Sequence, residues 1–331
     1  MTKKTLYSKN YDIFDIKSSF FNENEFNLKK SIKINNIYSK QSLRTKCKNC
    51  NRKLVGNSFD TFKIKYIFCR NCNHVNGIYE DSKSFVNYLY AHKKGINYYK
   101  NYFNDFDQRI KKIYNPKVLF LKKIIKNKNL NLLDIGSGAG HFLKSCEVNK
   151  IKATGFEPNK ILCELAQKKL KKNKINNIEL DQIYSIVENS NADCLSLIGV
   201  LEHLQRPHKL IKSFQKSKIK YLFLSVPLFS LSVMLEIINQ SVFPRQLSAA
   251  HTHLYTEESI NYLCKTYNLN IKGEWWFGAD IPDLYRHFLI KSKLKNKNYD
   301  KYLRNVINDL QNVLDKNKVC SEVHLILKKK Y

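Results

Sequence analysis

The sequence predicts an α/β protein in which a mostly parallel sheet follows a small cysteine-containing module. Short apolar runs at 132–135, 153–157 and 192–198 alternate with stretches of helical length, as they do in βαβ units. A glycine-rich turn follows the first of these runs, and two Cys-x-x-Cys pairs lie upstream of it. The chain of 331 residues has room for a small module and one domain of about 200 residues.

The glycine-rich turn lies within Leu-Leu-Asp-Ile-Gly-Ser-Gly-Ala-Gly-His-Phe-Leu at 132–143, which holds three of only ten glycines. The apolar residues before it indicate a buried parallel strand, and the residues after it indicate a helix. Without Cβ atoms, such a turn lets a ligand lie against backbone N–H groups at a helix N-terminus. A dinucleotide fingerprint would need a glycine at His141, so the pattern excludes that motif.

The pattern Asp-x-Gly-x-Gly-x-Gly resembles motif I of the class I S-adenosylmethionine (SAM)-dependent methyltransferases. The resemblance implies a Rossmann-like fold with a seven-stranded sheet whose last strand is antiparallel. It also implies that the turn passes the methionine part of SAM and that the preceding acid helps to hold its amino group. A tight turn in another doubly wound domain is the alternative. The expected cofactor contacts in this segment are Asp134, Gly136, Ser137, Gly138, Gly140 and Phe142.

Two further acids are candidates for the cofactor site. Glu157 ends the expected second strand, 21 residues beyond the first glycine of the turn, and Pro158 follows it. A carboxylate at a strand end has two oxygens that can accept both ribose hydroxyls, so we expect Glu157 to bind the ribose; a solvated surface carboxylate is the alternative. The resemblance implies an acid near the adenine amino group, and Asp181, after the expected third strand at 177–180, holds that position.

The segment after the expected fourth strand, Val-Leu-Glu-His-Leu at 200–204, resembles the same region of many small-molecule class I methyltransferases. Ligands of open α/β sheets bind at the carboxyl ends of the strands, so Glu202 and His203 are expected to face the methyl-transfer pocket, with Gly199 against the cofactor. His203 either takes a proton from the acceptor or, with Glu202, holds a divalent metal. Alternatively, the pair caps the next helix. Some relatives use a further Glu for metal where this chain has Gly199.

The segment at 251–259, after the expected fifth strand at 220–226, resembles the family's His-Leu-aromatic-Thr-x-x-Ser stretch. Thr256 is expected to cap the helix that begins there, with Ser259 three residues further on. A Phe-Gly-x-Asp segment at 277–280 also resembles relatives, although the neighbouring tryptophans equally fit core packing. The residues expected to contact the acceptor are His251, His253, Tyr255 and Asp280.

Four cysteines form a second, independent signal. Cys47-x-x-Cys50 and Cys69-x-x-Cys72 are separated by 18 residues, which is the spacing of a zinc ribbon. Four thiolates make a closed tetrahedral site, so the zinc is expected to be structural and to supply folding energy. Two disulfides are the alternative. The other five cysteines are scattered singly and no secretion signal precedes them, which favours reduced thiols.

A four-cysteine zinc ribbon, a tyrosine-rich stretch and a methyltransferase domain in this order resemble bacterial methyltransferases of unknown substrate, many encoded among surface-polysaccharide genes. The resemblance implies a small-molecule acceptor, such as a sugar, a sugar nucleotide or a lipid-linked glycan precursor. The expected division is an N-terminal arm at 1–45, the ribbon at 46–78, a helical tyrosine-rich linker at 79–115 and the catalytic domain at 116–331.

Charge alone favours a different partner. A formal charge of +30 normally indicates nucleic acid, and some ribosomal-RNA methyltransferases combine a four-cysteine ribbon with this fold. Only eight of the 58 basic residues are Arg, however, and the lysines are spread along the chain, whereas specific phosphate binding favours the guanidinium group. An RNA acceptor is therefore the alternative, and an inactive adaptor is a third, disfavoured by the intact cofactor motif.

Hydropathy predicts a cytoplasmic protein without a transmembrane segment. No run reaches the roughly 18 apolar residues of a membrane span, and the most apolar stretch, 221–243, is interrupted by Pro227 and Glu236. The acceptor atom, the oligomeric state and metal binding by Glu202 and His203 stay open at this level.

Overall fold

The computed structural model describes residues 3–9, 23–90, 105–247, 251–292 and 297–330. Within them, eight strands form a main sheet that is parallel except for the strand Glu322–Lys329 (β12), which is antiparallel to both neighbours. This confirms the predicted α/β Rossmann-like fold, with one additional edge strand. In spatial order the strands are β1 Lys4–Tyr7, β11 Leu269–Phe277, β12 Glu322–Lys329, β9 Tyr221–Pro227, β8 Cys194–Ile198, β5 Asn131–Ile135, β6 Lys152–Glu157 and β7 Lys174–Asn177.

Helices cover both faces of the sheet. Val118, Phe142 and Ala166 pack on one face, and Val187 and Leu210 pack on the other. The central strands are therefore buried on both sides, which explains their continuous apolar runs. The described helices are α1 Asn24–Tyr38, α2 Lys83–Tyr90, α3 (Phe106–Arg109, a π turn Ile110–Tyr114 and Asn115–Ile124), α4 His141–Val148, α5 Lys160–Lys169, α6 Ile183–Glu188, α7 Pro207–Lys216, α8 Leu231–Ile238, α9 Glu257–Thr266, α10 Asp280–Ser292 and α11 Lys297–Lys316.

A second sheet joins the cysteine module to a segment that follows β9. Its strands are β2 Ser58–Thr61, β3 Ile64–Phe68, β4 Val75–Gly77 and β10 His253–Leu254, and β10 pairs antiparallel with β4. The first three strands lie within 46–78, whereas the fourth lies between β9 and β11 in the chain. The module therefore holds the segment that the sequence predicted to contact the acceptor.

The structure corrects the position of the third strand, adds two elements to the expected N-terminal arm and confirms one helix cap. The third strand is Lys174–Asn177 rather than 177–180, because Ile175 supplies its core contact. The expected arm at 1–45 contains β1 and α1. The cap at Thr256 is confirmed: its side chain accepts from Ser259 N at 3.1 Å.

Of the tyrosine-rich linker, 91–104 lies outside the described residues. None of the described helices has the length and apolar character needed to span a membrane.

Candidate functional site

A cavity of about 170 Å³ opens at the carboxyl ends of β5, β6 and β8. The glycine turn after β5 forms one wall, and Glu157 at the end of β6 forms another. Tyr90 of α2 and Tyr114 of α3 also line it, from outside the sheet. This position is where open parallel sheets bind ligands, because the strand-to-helix turns meet there.

The glycine turn leaves space for a ligand at one position. Gly138 has a φ of +54°, and a Cβ there would meet nothing within 4 Å. Gly136 has a φ of +70°, and its Cβ would lie 2.6 Å from Val200 Cγ2. A Cβ on Gly140 would lie 2.7 Å from that of Ala166. Gly136 and Gly140 are therefore needed for packing, whereas Gly138 keeps the cavity open.

Two buried carboxylates face this cavity. Glu157 accepts from the backbone N–H groups of Gly138 at 2.8 Å and Asn159 at 2.9 Å, one on each oxygen. Asp134 accepts from the Ser196 hydroxyl at 2.6 Å. Burial raises the pKa of Glu157 to about 7 and that of Asp134 to about 6. Carboxylate oxygens have further acceptor capacity, so the site fits a ligand that offers hydroxyl and ammonium hydrogens.

The structure brings most of the expected cofactor residues to the cavity. Two are exceptions. Gly140 lies behind the wall, and Asp181 has a 70% exposed side chain that pairs with Lys83 at 2.5 Å. Tyr90, Tyr114 and Asn159 also line the cavity but lie outside any motif, so the sequence did not predict them. The expected residues that line the cavity are Asp134, Gly136, Ser137, Gly138, Phe142, Glu157, Pro158 and Gly199.

His203 lines the same cavity and has two polar neighbours. Its Nδ1 lies 2.7 Å from the Tyr90 hydroxyl, and its Nε2 lies 3.8 Å from Glu202 Oε1. The His251 ring lies 5.0 Å from the His203 ring, centroid to centroid. Glu202, His203 and His251 each offer a ligand atom, and these atoms lie within 4.8 Å of one another. The arrangement suits either proton transfer or a metal ion.

Burial shifts the pKa values of Glu202 and His251, two titratable neighbours of His203. Burial raises the pKa of Glu202 to about 8, and Glu202 Oε2 has no hydrogen-bond partner among the described residues. Burial lowers the pKa of His251 to about 4. The His251 Nδ1 lies 2.7 Å from the Gln246 carbonyl oxygen, so Nδ1 carries the hydrogen and Nε2 is an acceptor.

None of the four residues expected to contact the acceptor lines this cavity. His253 is fully buried, and its Nδ1 lies 2.8 Å from His74 Nε2 in the cysteine module. Tyr255 is also fully buried. Asp280 accepts from Ser232 Oγ at 2.9 Å and from the Ser321 backbone N–H, also at 2.9 Å. These side chains support loops around the site, and of the four only His251 approaches His203.

The four module cysteines form a separate cluster. Sγ atoms of Cys47 and Cys72 are 3.6 Å apart, as are those of Cys50 and Cys69. A tetrahedral zinc with bonds of about 2.3 Å spaces its sulfurs by about 3.8 Å, whereas a disulfide bond is only about 2.05 Å long. All nine cysteines are free, which excludes the disulfide alternative in this structure. The donor set fits a metal ion.

The chain belongs to a known family. The family described as "Methyltransferase domain" matches residues 106–272, half of the chain. This stretch holds the glycine turn, Glu157 and His203. Together with the sheet order, the match defines a class I SAM-dependent methyltransferase domain, and it leaves the acceptor undetermined.

Several solved structures are similar at low identity. A SAM-dependent methyltransferase from Archaeoglobus fulgidus is 18% identical, covering 70% of this chain and 100% of that chain, with a TM-score of 0.46. Magnesium protoporphyrin IX methyltransferase from Synechocystis PCC 6803, solved with bound S-adenosylhomocysteine (SAH), is 12% identical over 72% and 90% of the two chains, with a TM-score of 0.44. The search of curated proteins found no match.

Proposed function

We propose that SAM binds in the glycine-turn cavity and that the enzyme methylates a small molecule. Glu157 accepts the ribose hydroxyls, and Asp134 lies beside the methionine amino group. The observation that supports this most directly is that two buried carboxylates, Asp134 and Glu157, line the cavity together with Gly138, where a Cβ would meet nothing within 4 Å. A sugar, a sugar nucleotide or a lipid-linked glycan precursor is the proposed acceptor.

The residues around the cavity align the reactants and exclude water. SAM, when bound, supplies an electrophilic methyl carbon. Val86, Leu89 and Tyr90 of α2 and Tyr114 of α3 cover the cavity, which restricts the orientations of acceptor and cofactor. His203 accepts the proton of a hydroxyl or carbon-acid acceptor. The Tyr90 hydroxyl, 2.7 Å from its Nδ1, fixes the ring.

The Gly138→Ala variant tests the cofactor site. The added methyl enters the cavity, and a non-glycine residue at this φ costs about 1–2 kcal/mol. We expect SAH affinity, measured by calorimetry, to fall by about tenfold or more while circular dichroism shows a folded protein. Gly140→Ala is the matched control, because its methyl meets Ala166 instead of the cavity; it is expected to lower the melting temperature. Unchanged SAH binding by Gly138→Ala would refute the proposed site.

A divalent metal held by Glu202, His203 and His251 is a second candidate role for that corner. It is favoured because the three ligand atoms lie within 4.8 Å and Glu202 Oε2 has no partner among the described residues. Calorimetric titration with Mn²⁺, with the cysteine cluster loaded with zinc, distinguishes the roles. Binding that His251→Ala abolishes supports a metal site, whereas no binding leaves His203 as a base.

We also infer that the cysteine cluster holds one structural zinc ion and makes the module a zinc ribbon. The sulfur spacing of 3.6 Å supports this. An RNA acceptor is the second candidate function, favoured by the charge of +30.

A further inference from the structure

A second cavity, of about 210 Å³, opens beside the first at the same edge of the sheet. Phe277 at the end of β11 and Glu322 at the start of β12 line it, as do Lys117 of α3 and Lys9, just beyond β1. Tyr114 lines both cavities. A molecule in the second cavity therefore lies next to the proposed cofactor site, with only a shared side chain between them.

Positive charge is concentrated in the walls of this second cavity. Lys9, Arg109, Lys117 and Arg245 line it. Arg245 donates to Asp283 at 2.5 Å, so one cation has its own carboxylate behind the wall. Asp315 and Glu322 also line the cavity, so four cationic side chains share its walls with two carboxylates. Burial raises the pKa of Asp315 to about 6, which weakens it as a counter-ion in mildly acidic solution.

Lys117 is the side chain that most clearly requires a ligand. It is only 6% exposed, and its ammonium group makes no hydrogen bond or salt bridge with the described residues. Its Nζ lies 5.2 Å from the centroid of the Tyr114 ring. Burial lowers the pKa of Lys117 to about 8; Glu322 opposes this shift, whereas Lys9 and Arg109 add to it. A buried ammonium without a partner is costly, whereas an anion in the cavity would stabilise it.

We propose that the second cavity binds an oxyanion of the acceptor, a phosphate or carboxylate group, with Lys117 as its central ligand. The rest of the acceptor then extends past Tyr114 towards the methyl group. This inference rests on the proposed cofactor site, because an acceptor bound in the second cavity can be methylated only when SAM occupies the first. It narrows the acceptor to anionic small molecules, a class that includes sugar phosphates, sugar nucleotides and sugar acids.

Calorimetry on the zinc-loaded full chain, saturated with SAH, tests the inference. Pyrophosphate and malonate are the two probes, at low ionic strength. We expect at least one to bind the unmodified protein, and Lys117→Met to weaken that binding by about tenfold or more, as expected for a charge-assisted contact. Lys123→Met is the matched control, since Lys123 is an exposed lysine of the same helix. This variant is expected to bind SAH and the two probes as the unmodified protein does.

The stability of Lys117→Met gives a second readout. Replacing a buried, unpaired ammonium by an apolar side chain of similar length is expected to raise the melting temperature in the absence of anions. Binding of pyrophosphate alone assigns a phosphate group, and binding of malonate alone assigns a carboxylate. If SAH binds but neither probe does, or if Lys117→Met binds the probes normally, the inference is overturned and the cofactor site stands. If SAH does not bind, the proposed function fails first.

Discussion

At the scale of the residue, the proposed cofactor site depends most on Glu157. Its ionised form accepts hydroxyl hydrogens, but burial raises its pKa to about 7. Protonation removes acceptor capacity, so SAH affinity is expected to fall as the pH drops through 7 from 8 towards 6. Asp134, whose pKa is about 6, contributes only at the acidic end. Calorimetry across this range measures the effect.

Glu157→Gln is expected to lower SAH affinity at pH 8 by about tenfold or more, because an ionised hydrogen-bond acceptor is lost. It should also flatten the pH dependence above pH 7. Asp181→Asn is the control, because that acid is exposed and paired with Lys83; it is expected to bind SAH normally. A variant at 157 that retained the full pH dependence would assign the titration to another group.

The positions of Glu157 and Asp181 show what sequence reasoning can predict about single residues. Glu157 ends a short strand that was predicted from the sequence, and strand ends meet at one edge of the sheet, so its location at the cavity follows from pattern alone. Asp181 follows a strand that was placed three residues too far along. The position of the Asp181 side chain depends on a partner far away in the sequence, Lys83 of α2. Such a contact leaves no local pattern in the sequence.

At the scale of the element, the paired strands β4 and β10 couple the cysteine module to the catalytic domain. His253 pairs with Asn76, and Leu254 with Val75. The module is too small to fold on an apolar core alone, so a zinc ion would supply much of its stability. Because β10 begins two residues after His251, loss of the metal is also expected to make His251 more mobile beside His203.

Removal of zinc is therefore expected to lower the stability of the protein and to expose the segment around His251 to proteolysis. We expect one zinc per chain by elemental analysis, a lower melting temperature after chelation, and increased proteolysis near 251. Cys72→Ser is expected to lower the zinc content. Cys264→Ser is the matched control, since Cys264 is buried in α9 away from the cluster and its loss should leave zinc bound. An unchanged melting temperature after complete zinc removal would contradict a structural role.

Some elements were predictable and others were not, for a physical reason. The apolar runs of β8 and β9 are buried by helices on both faces, and burial imposes a composition that can be recognised. β1 has only four residues, with exposed ends and a half-buried middle, and it exists because it pairs with the edge of β11. That pairing places Lys9 in the second cavity, so an unpredicted element contributes to the proposed acceptor site.

At the scale of the whole molecule, the charge of +30 bears on the choice between a small acceptor and RNA. Exposed lysines attract polynucleotides by releasing counter-ions, and such binding weakens by orders of magnitude between about 50 and about 200 mM salt. A small anion held by the buried Lys117 interacts over a short distance and is screened less. The two acceptor classes therefore predict different responses to salt.

Methyl transfer from labelled SAM tests this difference directly. The acceptors are a panel of sugar nucleotides and sugar phosphates, with total RNA in a parallel reaction, each at about 50 and about 200 mM salt. We expect label in a member of the panel, with the rate reduced only modestly at the higher salt because the reacting groups lie in enclosed cavities. RNA is expected to bind at low salt without taking up label. Salt-sensitive incorporation into RNA, with none into the panel, would show instead that the surface charge, rather than the second cavity, recognises the acceptor.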